Sequence, residues 1–552
     1  MSRPLTFTRR IIRFVAITAA VLAIPILIAA PPAHGGPGKK ISKGLERTLQ
    51  QAAPDDQVRV IVQTRVSPSS IHYGRLHKRG GAVRRLHTSI RGYAATLSAS
   101  QISGFAEDPE IERISLDSPV SAHLDVARQS VNAGSHFVTD SGLTGRGVGV
   151  AIIDTGVAGH ADLVREKKGA RLIEVEIVGS EPGVADYYGH GTHVAGILAG
   201  SGERSSDRYS FRTFTGIAPG ADVISLRALY PDGSGFTSDV IAAIDWAVAH
   251  KDEYNIRILN LSLGHPIFES YTTDPLCRAV RAATDAGILA VVAAGNDGGL
   301  GSGFGTITSP GNEPTAITVG AMDDSGTVAI TDDVLAWYSS RGPSLIDYVV
   351  KPDIVAPGTW IVSTRSPGSY LDTEYHGLTL VRDQYKDEPG NAVKDGDYYV
   401  LSGTSMAAPM VAGAAALMLE QEAELGPGDL KARLMASAHK DDYLIFETGA
   451  GYLDVEAALQ ATGHATVAPS PHAFIQSDGS VAIEDTGLIW NIYWTQGLIW
   501  GYLPGYTATW SVTDLENDQV TSSGLTWGGG GSSRTKSTST VDLLGLTWGG
   551  GG

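Results

Sequence analysis

Gly147-Val148-Gly149-Val150-Ala151-Ile152-Ile153-Asp154 is a short apolar run that breaks on a carboxylate. It has no polar alternation, so it reads as a strand covered on both faces rather than one with a wet side. Similar runs follow at residues 223–228, 256–263, 287–294 and 316–320. Helical stretches at 190–199, 237–250, 274–286 and 405–424 lie among them. Buried strands alternating with helices predict an α/β fold: a doubly wound, mostly parallel sheet with helices on both faces. Functional residues are then expected at the carboxyl ends of the strands, and Asp154 is one such position.

Working outward, the chain divides unevenly. Its 552 residues exceed a single ordinary domain, and the hydrophobic share of 42% with 18% charged residues excludes wholesale disorder. Residues 1–33 combine Arg3, Arg9, Arg10 and Arg13 with an uncharged run over 14–30, the pattern of a secretory signal peptide rather than a stable membrane anchor. Between 57 and 123 the texture is that of a small α+β unit. Strands are predicted at 58–63, 92–98 and 111–120, with a short helix over 98–106 capped by Ser98. The segment 463–475 reads as a linker. The tail over 476–552 is rich in glycine and tryptophan and repeats itself: Gly-Leu-Ile-Trp at 487–490 and 497–500, and Gly-Leu-Thr-Trp-Gly-Gly-Gly-Gly at 524–531 and 545–552. Short β-strands are one reading of this tail.

A net charge of −17 argues against a nucleic-acid partner. That average is a sum of +9 over residues 1–120 (17 basic, 8 acidic) and −26 over the remainder (25 basic, 51 acidic). The single cysteine, Cys277, excludes an internal disulfide framework and any cysteine-based zinc cluster, and its setting is that of a buried core thiol.

Four short motifs carry chemistry. Asp154 ends its strand before Thr155-Gly156; a lone Asp in that place is more often a helix cap or turn former. His190-Gly191-Thr192-His193 places two histidines three apart at a helix start, open to a metal, a general-base or a structural reading. Gly403-Thr404-Ser405 leads into the apolar 410–419, so the Ser405 hydroxyl sits at the N-terminus of a buried helix, where developing negative charge is favoured. Asn296, in Ala294-Gly295-Asn296-Asp297-Gly298, offers an amide that can donate to an oxyanion, although the run is also a turn.

Taken together and in this order, Asp154, His190, Asn296 and Ser405 resemble the catalytic set of the subtilisin-like serine proteases, the subtilases. The resemblance spans roughly residues 130–460 and includes Asn260-Leu261-Ser262-Leu263-Gly264, Ser309-Pro310-Gly311, Ser339-Ser340-Arg341-Gly342-Pro343 and Lys351-Pro352-Asp353 through Gly358. It implies a serine endopeptidase with a catalytic domain over 125–462. Ser405 would be the nucleophile, His190 the general base and then acid, and Asp154 the residue orienting it. Asn296 and the Ser405 N–H would form the oxyanion hole, leaving His193 structural. No cofactor is needed for the chemistry, and the substrates are proteins or peptides.

The resemblance further implies that residues 34–124 are an inhibitory prodomain of ferredoxin-like βαββαβ form, cut by the enzyme itself between 117 and 131. The expected product is a secreted monomer, extracellular or at the cell surface, with its own prodomain as a partner. Leu261, Ser262, Gly264, Ala293, Gly295 and Thr308 would line the primary pocket, with Thr308 shortening it and Asp297 at its rim, favouring medium apolar side chains. Asp162 falls in a block that carries a structural calcium ligand in the family, although the Gly200–Thr215 stretch beyond it shows no obvious cage. Residues 359–400 are an acidic insertion, read as solvated decoration or as a rim of the cleft. Two alternatives stay open: a zinc hydrolase using His190 and His193, and a binding module on an inactive protease fold. A dinucleotide enzyme is excluded, because Gly145-Arg146-Gly147-Val148-Gly149 precedes its strand, whereas a phosphate cradle must follow one.

Overall fold

The computed structural model describes residues 40–42, 45, 46, 48, 49, 52–88, 90–117, 119–122, 127–164, 172–178, 186–299, 303–387, 395–475, 477, 481–484, 507–510 and 525–528. The expected export signal at 1–33 and most of the tail lie outside them.

The central sheet holds β6 (Gly149–Asp154), β7 (Leu172–Glu176), β8 (Asp222–Arg227), β10 (Ile256–Leu261), β12 (Leu289–Ala293), β13 (Ile317–Asp323), β14 (Val334–Leu335) and β15 (Ile354–Pro357). Its order is β14-β13-β12-β10-β6-β8-β7, with β15 joined to β13, and every pairing is parallel except that of β14. The uniform apolarity of the strands follows from two core layers. Val150 and Ile152 of β6 pack on the face covered by α4 (His190–Ala199) and α8 (Thr404–Gln421), while Ala151 and Ile153 pack on the face covered by α5 (Thr237–Ala249) and α6 (Pro275–Asp285). Period-two alternation thus sends one apolar residue into each layer.

Helix α8 is buried from Thr404 to Leu419 and runs beneath the sheet at the middle of the larger layer. Pro409 lies inside it. Proline cannot donate to the carbonyl four residues earlier, which is that of Ser405, and this oxygen takes the Ser262 hydroxyl at 2.6 Å instead.

The N-terminal unit is a sheet of β1 (Gln57–Thr64), β2 (Ala82–His87), β3 (Gly92–Ser98) and β4 (Ile111–Leu116), ordered β2-β3-β1-β4 and antiparallel throughout. Helices α1 (Ser70–His77) and α2 (Ala99–Ala106) cover one face, with Val60, Val62, Leu76, Ile102 and Phe105 between. From the other face, Ile61 joins the core layer of α5 and α6. Two expectations are corrected. Ser98 precedes α2 without a side-chain capping bond. The strand expected over 111–120 is interrupted: β4 ends at Leu116, Asp117 turns to accept the Ser238 N–H at 2.7 Å, and β5 (Pro119–Ala122) pairs elsewhere.

The insertion forms the antiparallel sheet β16 (Ile361–Thr364), β18 (Asp395–Leu401) and β17 (Thr379–Val381), with α7 (Tyr370–Glu374) between β16 and β17. It is more than solvated decoration. Ser363 and Thr364 hydroxyls donate to the carbonyls of His193 and Thr192, both at 2.7 Å, so it straps down α4. Nor is 463–475 simply a linker. Ala465 and Ala468 are buried in the main core, the Ser470 hydroxyl bonds Asp353 Oδ1 at 2.6 Å, and Ala473–Ile475 pairs with Val481–Ile483. In the tail, Thr507–Trp510 pairs antiparallel with Leu525–Gly528.

Candidate active site

Asp154 ends β6 and His190 opens α4, so the sheet's carboxyl edge and a helix N-terminus bring them together. His190 Nδ1 lies 2.6 Å from Asp154 Oδ1, and both side chains are buried. Asp154 Oδ1 also accepts the Thr155 N–H at 2.7 Å, which fixes the carboxylate at the strand end.

The join is reinforced by Asp186, which the sequence reading did not single out. Its Oδ1 accepts the Thr155 hydroxyl (2.8 Å) and the Gly189 N–H (2.7 Å). Its Oδ2 accepts the Thr192 N–H (2.8 Å) and hydroxyl (2.7 Å). Thr155 Oγ1 in turn accepts the Gly191 N–H at 2.9 Å. One buried carboxylate therefore ties the end of β6 to the first turn of α4. Burial, the largest influence, raises its pKa against these four bonds. Asp186 lies three residues before Gly189, the N-cap of α4, outside the usual capping position, so no local motif marked it.

Ser405 stands in the first turn of α8, where unpaired N–H groups concentrate positive potential. Its hydroxyl donates to the Ser262 carbonyl at 3.3 Å, reciprocating the Ser262-to-Ser405 bond, and Asn260 Nδ2 steadies the Ser262 hydroxyl at 3.0 Å. Asn296 Oδ1 accepts from the Thr404 N–H (2.8 Å) and hydroxyl (3.1 Å). Committing its oxygen to the residue before Ser405 fixes the side-chain plane and leaves the amide nitrogen as the end able to donate elsewhere.

Of the expected pocket residues, Thr308 is held by Ala294, its N–H donating at 3.0 Å and its hydroxyl at 3.3 Å. A methyl group added at Gly264 would fall 2.6 Å from Thr308 Oγ1, and one added at Gly295 would fall 2.9 Å from Thr308 Cγ2. Thr308 therefore fills the space between these two glycines, and only glycine fits at either side. Ser262 and Ala293 are buried beside them. Leu261 is different: strand alternation sends it into the layer under α5 and α6, away from the cleft. Asp297, beside Asn296, is mostly buried, and burial raises its pKa.

The side chains named for a metal are engaged within the protein. His193 Nε2 is engaged with the Tyr399 carbonyl at 3.0 Å, and burial lowers its pKa to about 3, so it is a neutral core histidine. Asp162 is fully buried with both oxygens taken, Oδ1 by the Arg204 N–H at 2.8 Å and Oδ2 by the Tyr398 hydroxyl at 2.7 Å. Among the described residues no group of three His, Cys, Asp or Glu side chains is placed to hold a metal ion. Cys277 is buried with Sγ 3.2 Å from Asn312 Oδ1, and burial raises its pKa well above the ordinary thiol value.

The segment after Ser262, which is bonded to Ser405, pairs with part of the N-terminal chain. β5 (Pro119–Ala122) forms the middle strand of a three-stranded antiparallel sheet between β9 (Ser234–Phe236) and β11 (Leu263–Gly264). Ser121 pairs with both Ser234 and Gly264, and Ala122 with Leu263. The unit behind β5 is fastened to α5 and to the loop before α6 by complementary charge. Arg113 Nε bonds the buried Glu269, which also takes the Ser115 hydroxyl at 2.6 Å. Arg59 lies 3.6 Å from Asp239 and donates to Ser238 at 3.2 Å, and Arg85 is also 3.6 Å from Asp239.

The doubly wound α/β sheet carries a buried Asp–His hydrogen bond at its carboxyl edge, and α4 and α8, which bear His190 and Ser405, share one core layer. Comparison with known proteins gives the family. The subtilase family model matches residues 145–452. The serine protease AprX of Bacillus subtilis is 38% identical over 362 residues, covering 64% of this chain and 75% of AprX. Subtilisin E of Bacillus subtilis is 30% identical over 393 residues, covering 70% and 85%. Among solved structures, that of fervidolysin from Fervidobacterium pennivorans, described as a keratinolytic enzyme related to subtilisin, shares the fold with a TM-score of 0.56 at 22% identity, covering 78% of this chain and 67% of that one. The chain belongs to the subtilase family and is a subtilisin-like serine protease, a peptide-bond hydrolase. Among the described residues no helix is long and apolar enough to cross a membrane.

Proposed function

We propose that this chain is a secreted endopeptidase made as a self-processed zymogen, with Asp154, His190 and Ser405 as its triad. In this reading the Ser405 hydroxyl attacks the scissile carbonyl and gives its proton to His190. Asp154 holds the imidazole through Nδ1 and stabilises the cation formed. The tetrahedral oxyanion is bound by the Asn296 amide and the Ser405 N–H, supported by the dipole of α8. His190 then passes its proton to the leaving amine, and a water molecule, deprotonated by the same imidazole, hydrolyses the acyl-enzyme.

The observation that carries the zymogen reading is β5, an extended main chain held between two cleft edges as a substrate would be, with the charged α+β unit docked behind it. Residues 34–124 would serve as the inhibitory prodomain, and the mature enzyme would be a monomer acting on protein or peptide substrates outside the cell. The chemistry would require no metal. Thr308 would shorten the primary pocket, favouring medium apolar side chains.

Mass spectrometry of secreted wild-type protein and of Ser405→Ala tests this. The wild type should lose residues up to a bond between 117 and 131 and label with a serine-directed fluorophosphonate, whereas Ser405→Ala should remain joined and unlabelled. A purified Ser405→Ala that processes itself would overturn the reading.

A further inference from the structure

The loop before His190, Asp186-Tyr187-Tyr188-Gly189, carries a large ring that is buried at the margin of the main core, between the insertion and the turn that precedes β9. A methyl group added at Gly233 would fall 2.6 Å from Tyr188 Cζ, so the tip of the ring rests directly on the turn that precedes β9. This turn is itself stiff, with the Gly233 N–H donating to the Tyr230 carbonyl at 2.9 Å and the Tyr230 N–H to that of Ser234 at 2.7 Å.

Behind Tyr188 stands the insertion. Tyr370 stacks on Tyr188 with ring centres 5.5 Å apart and planes 8° from parallel. The two backbones are joined as well, the Tyr370 N–H donating to the Tyr187 carbonyl at 2.7 Å and the Leu371 N–H to that of Tyr188 at 3.0 Å. α7 is locked in turn by Arg365, which grips both oxygens of Asp372 at 2.5 and 2.8 Å, and by the Ser366 hydroxyl on the Asp186 carbonyl at 2.9 Å. The ring thus has the turn at its tip and a buttressed second ring behind it.

The register of β5 says which substrate position meets this wall. Pro119 pairs with Phe236, Val120 with Gly235 and Ser121 with Ser234. Continuing the antiparallel register brings residue 122 level with Gly233. The chain has alanine there.

We propose that the Tyr188–Tyr370 stack is a specificity gate, restricting the substrate residue that comes level with Gly233 to small side chains such as glycine, alanine or serine. The insertion is then a specificity element: it holds Tyr188 over the position instead of letting the ring swing aside. This rests on the protease reading above and adds a substrate preference to it.

The test is a set of peptides differing only at the position that Ala122 occupies relative to the mapped self-cleavage bond, with Ala, Leu and Phe compared by kcat/KM. The wild type should discriminate Ala from Phe by at least about tenfold, and Tyr370→Ala should reduce that ratio about tenfold, while Tyr370→Phe, which keeps the stack, should preserve it. Tyr188→Ser provides a second variant, so that misfolding of one does not remove the test; titration with a fluorophosphonate counts the folded sites in each. A wild type that accepts Phe as readily as Ala overturns the gate. So does a ratio that stays within about twofold of wild type in every variant that folds. A wild type that cleaves none of the peptides and does not label at Ser405 overturns the underlying protease reading instead.

Discussion

The buried carboxylate of Asp186 offers the sharpest test of how the site is held. In Asp186→Asn the shape is kept, but whichever way the amide turns, its NH2 faces two of the four donors that now converge on the carboxylate. Facing Thr192, it meets two donors; the hydroxyl, which already accepts the Ala158 N–H at 2.8 Å, can turn its hydrogen aside and accept on its second lone pair, but the Thr192 N–H cannot, and is left without a partner. One orphaned buried N–H costs about 1–3 kcal/mol, and part of this returns because the buried charge is gone. The strain falls on the first turn of α4, so it should move His190 relative to Asp154 and Ser405. A misplacement approaching 1 Å lowers turnover by about tenfold to a hundredfold, or roughly 1.4–2.7 kcal/mol of barrier. Kinetics on a chromogenic peptide, normalised by active-site titration, should therefore show a fall in kcat with little change in KM, since the carboxylate is committed to four intramolecular donors. A variant with a lower Tm but kcat within about threefold of wild type would refute the reasoning, making Asp186 purely structural.

Arg113→Ala leaves Glu269 buried without its cation, which should weaken the hold of residues 57–116 by about 2–5 kcal/mol; processed enzyme should gain activity faster in a time course, and an unchanged lag would count against the interface. Thr308→Gly empties the space between Gly264 and Gly295, so cleavage profiles should shift toward larger aromatic residues at the primary position. Lys431 is fully buried, donating to the Pro314 and Ala316 carbonyls and to Ser470, and burial lowers its pKa to about 7 from an ordinary 10.5. The unfolded chain then binds the extra proton between these values, so stability should rise with pH across that window by at most about 1.4 kcal/mol per unit. Urea unfolding at pH 7 and pH 9 should show this rise diminished in Lys431→Met, and parallel behaviour of the two proteins would refute it.

Much of the architecture was legible because its signals are local. The runs at 147–154 and 256–263 correspond to β6 and to β10 with β11, and the helix expected over 190–199 is α4. Asp154, His190, Asn296 and Ser405 stood out because each lies in a short motif at the end of an element. What escaped depends on long-range partners. β7, reading Leu-Ile-Glu-Val-Glu, lies at the sheet edge, and its mixed polarity conceals it. Leu261 was assigned to the pocket by position in a motif, whereas the alternation of β10 turns it into the core. The two donors on Asp162 could not be anticipated because they come from 42 and 236 residues away. The insertion looked like decoration because its hydrogen bonds to α4 run mainly through backbone carbonyls, which leave no trace in the sequence.

The slot between β9 and β11 has a consequence for what this enzyme can degrade. With β5 released, as the proposed zymogen processing requires, it would be a gap in a sheet, one strand wide and completed by whichever chain enters. Entry demands several consecutive residues with free backbone N–H and C=O groups, which helices and interior strands of folded proteins do not offer. Access would therefore depend on local unfolding of the victim before its sequence matters. Loops, frayed termini and heat- or acid-damaged proteins would be consumed first, and well-folded neighbours, including other copies of the mature enzyme, would be spared by their own secondary structure.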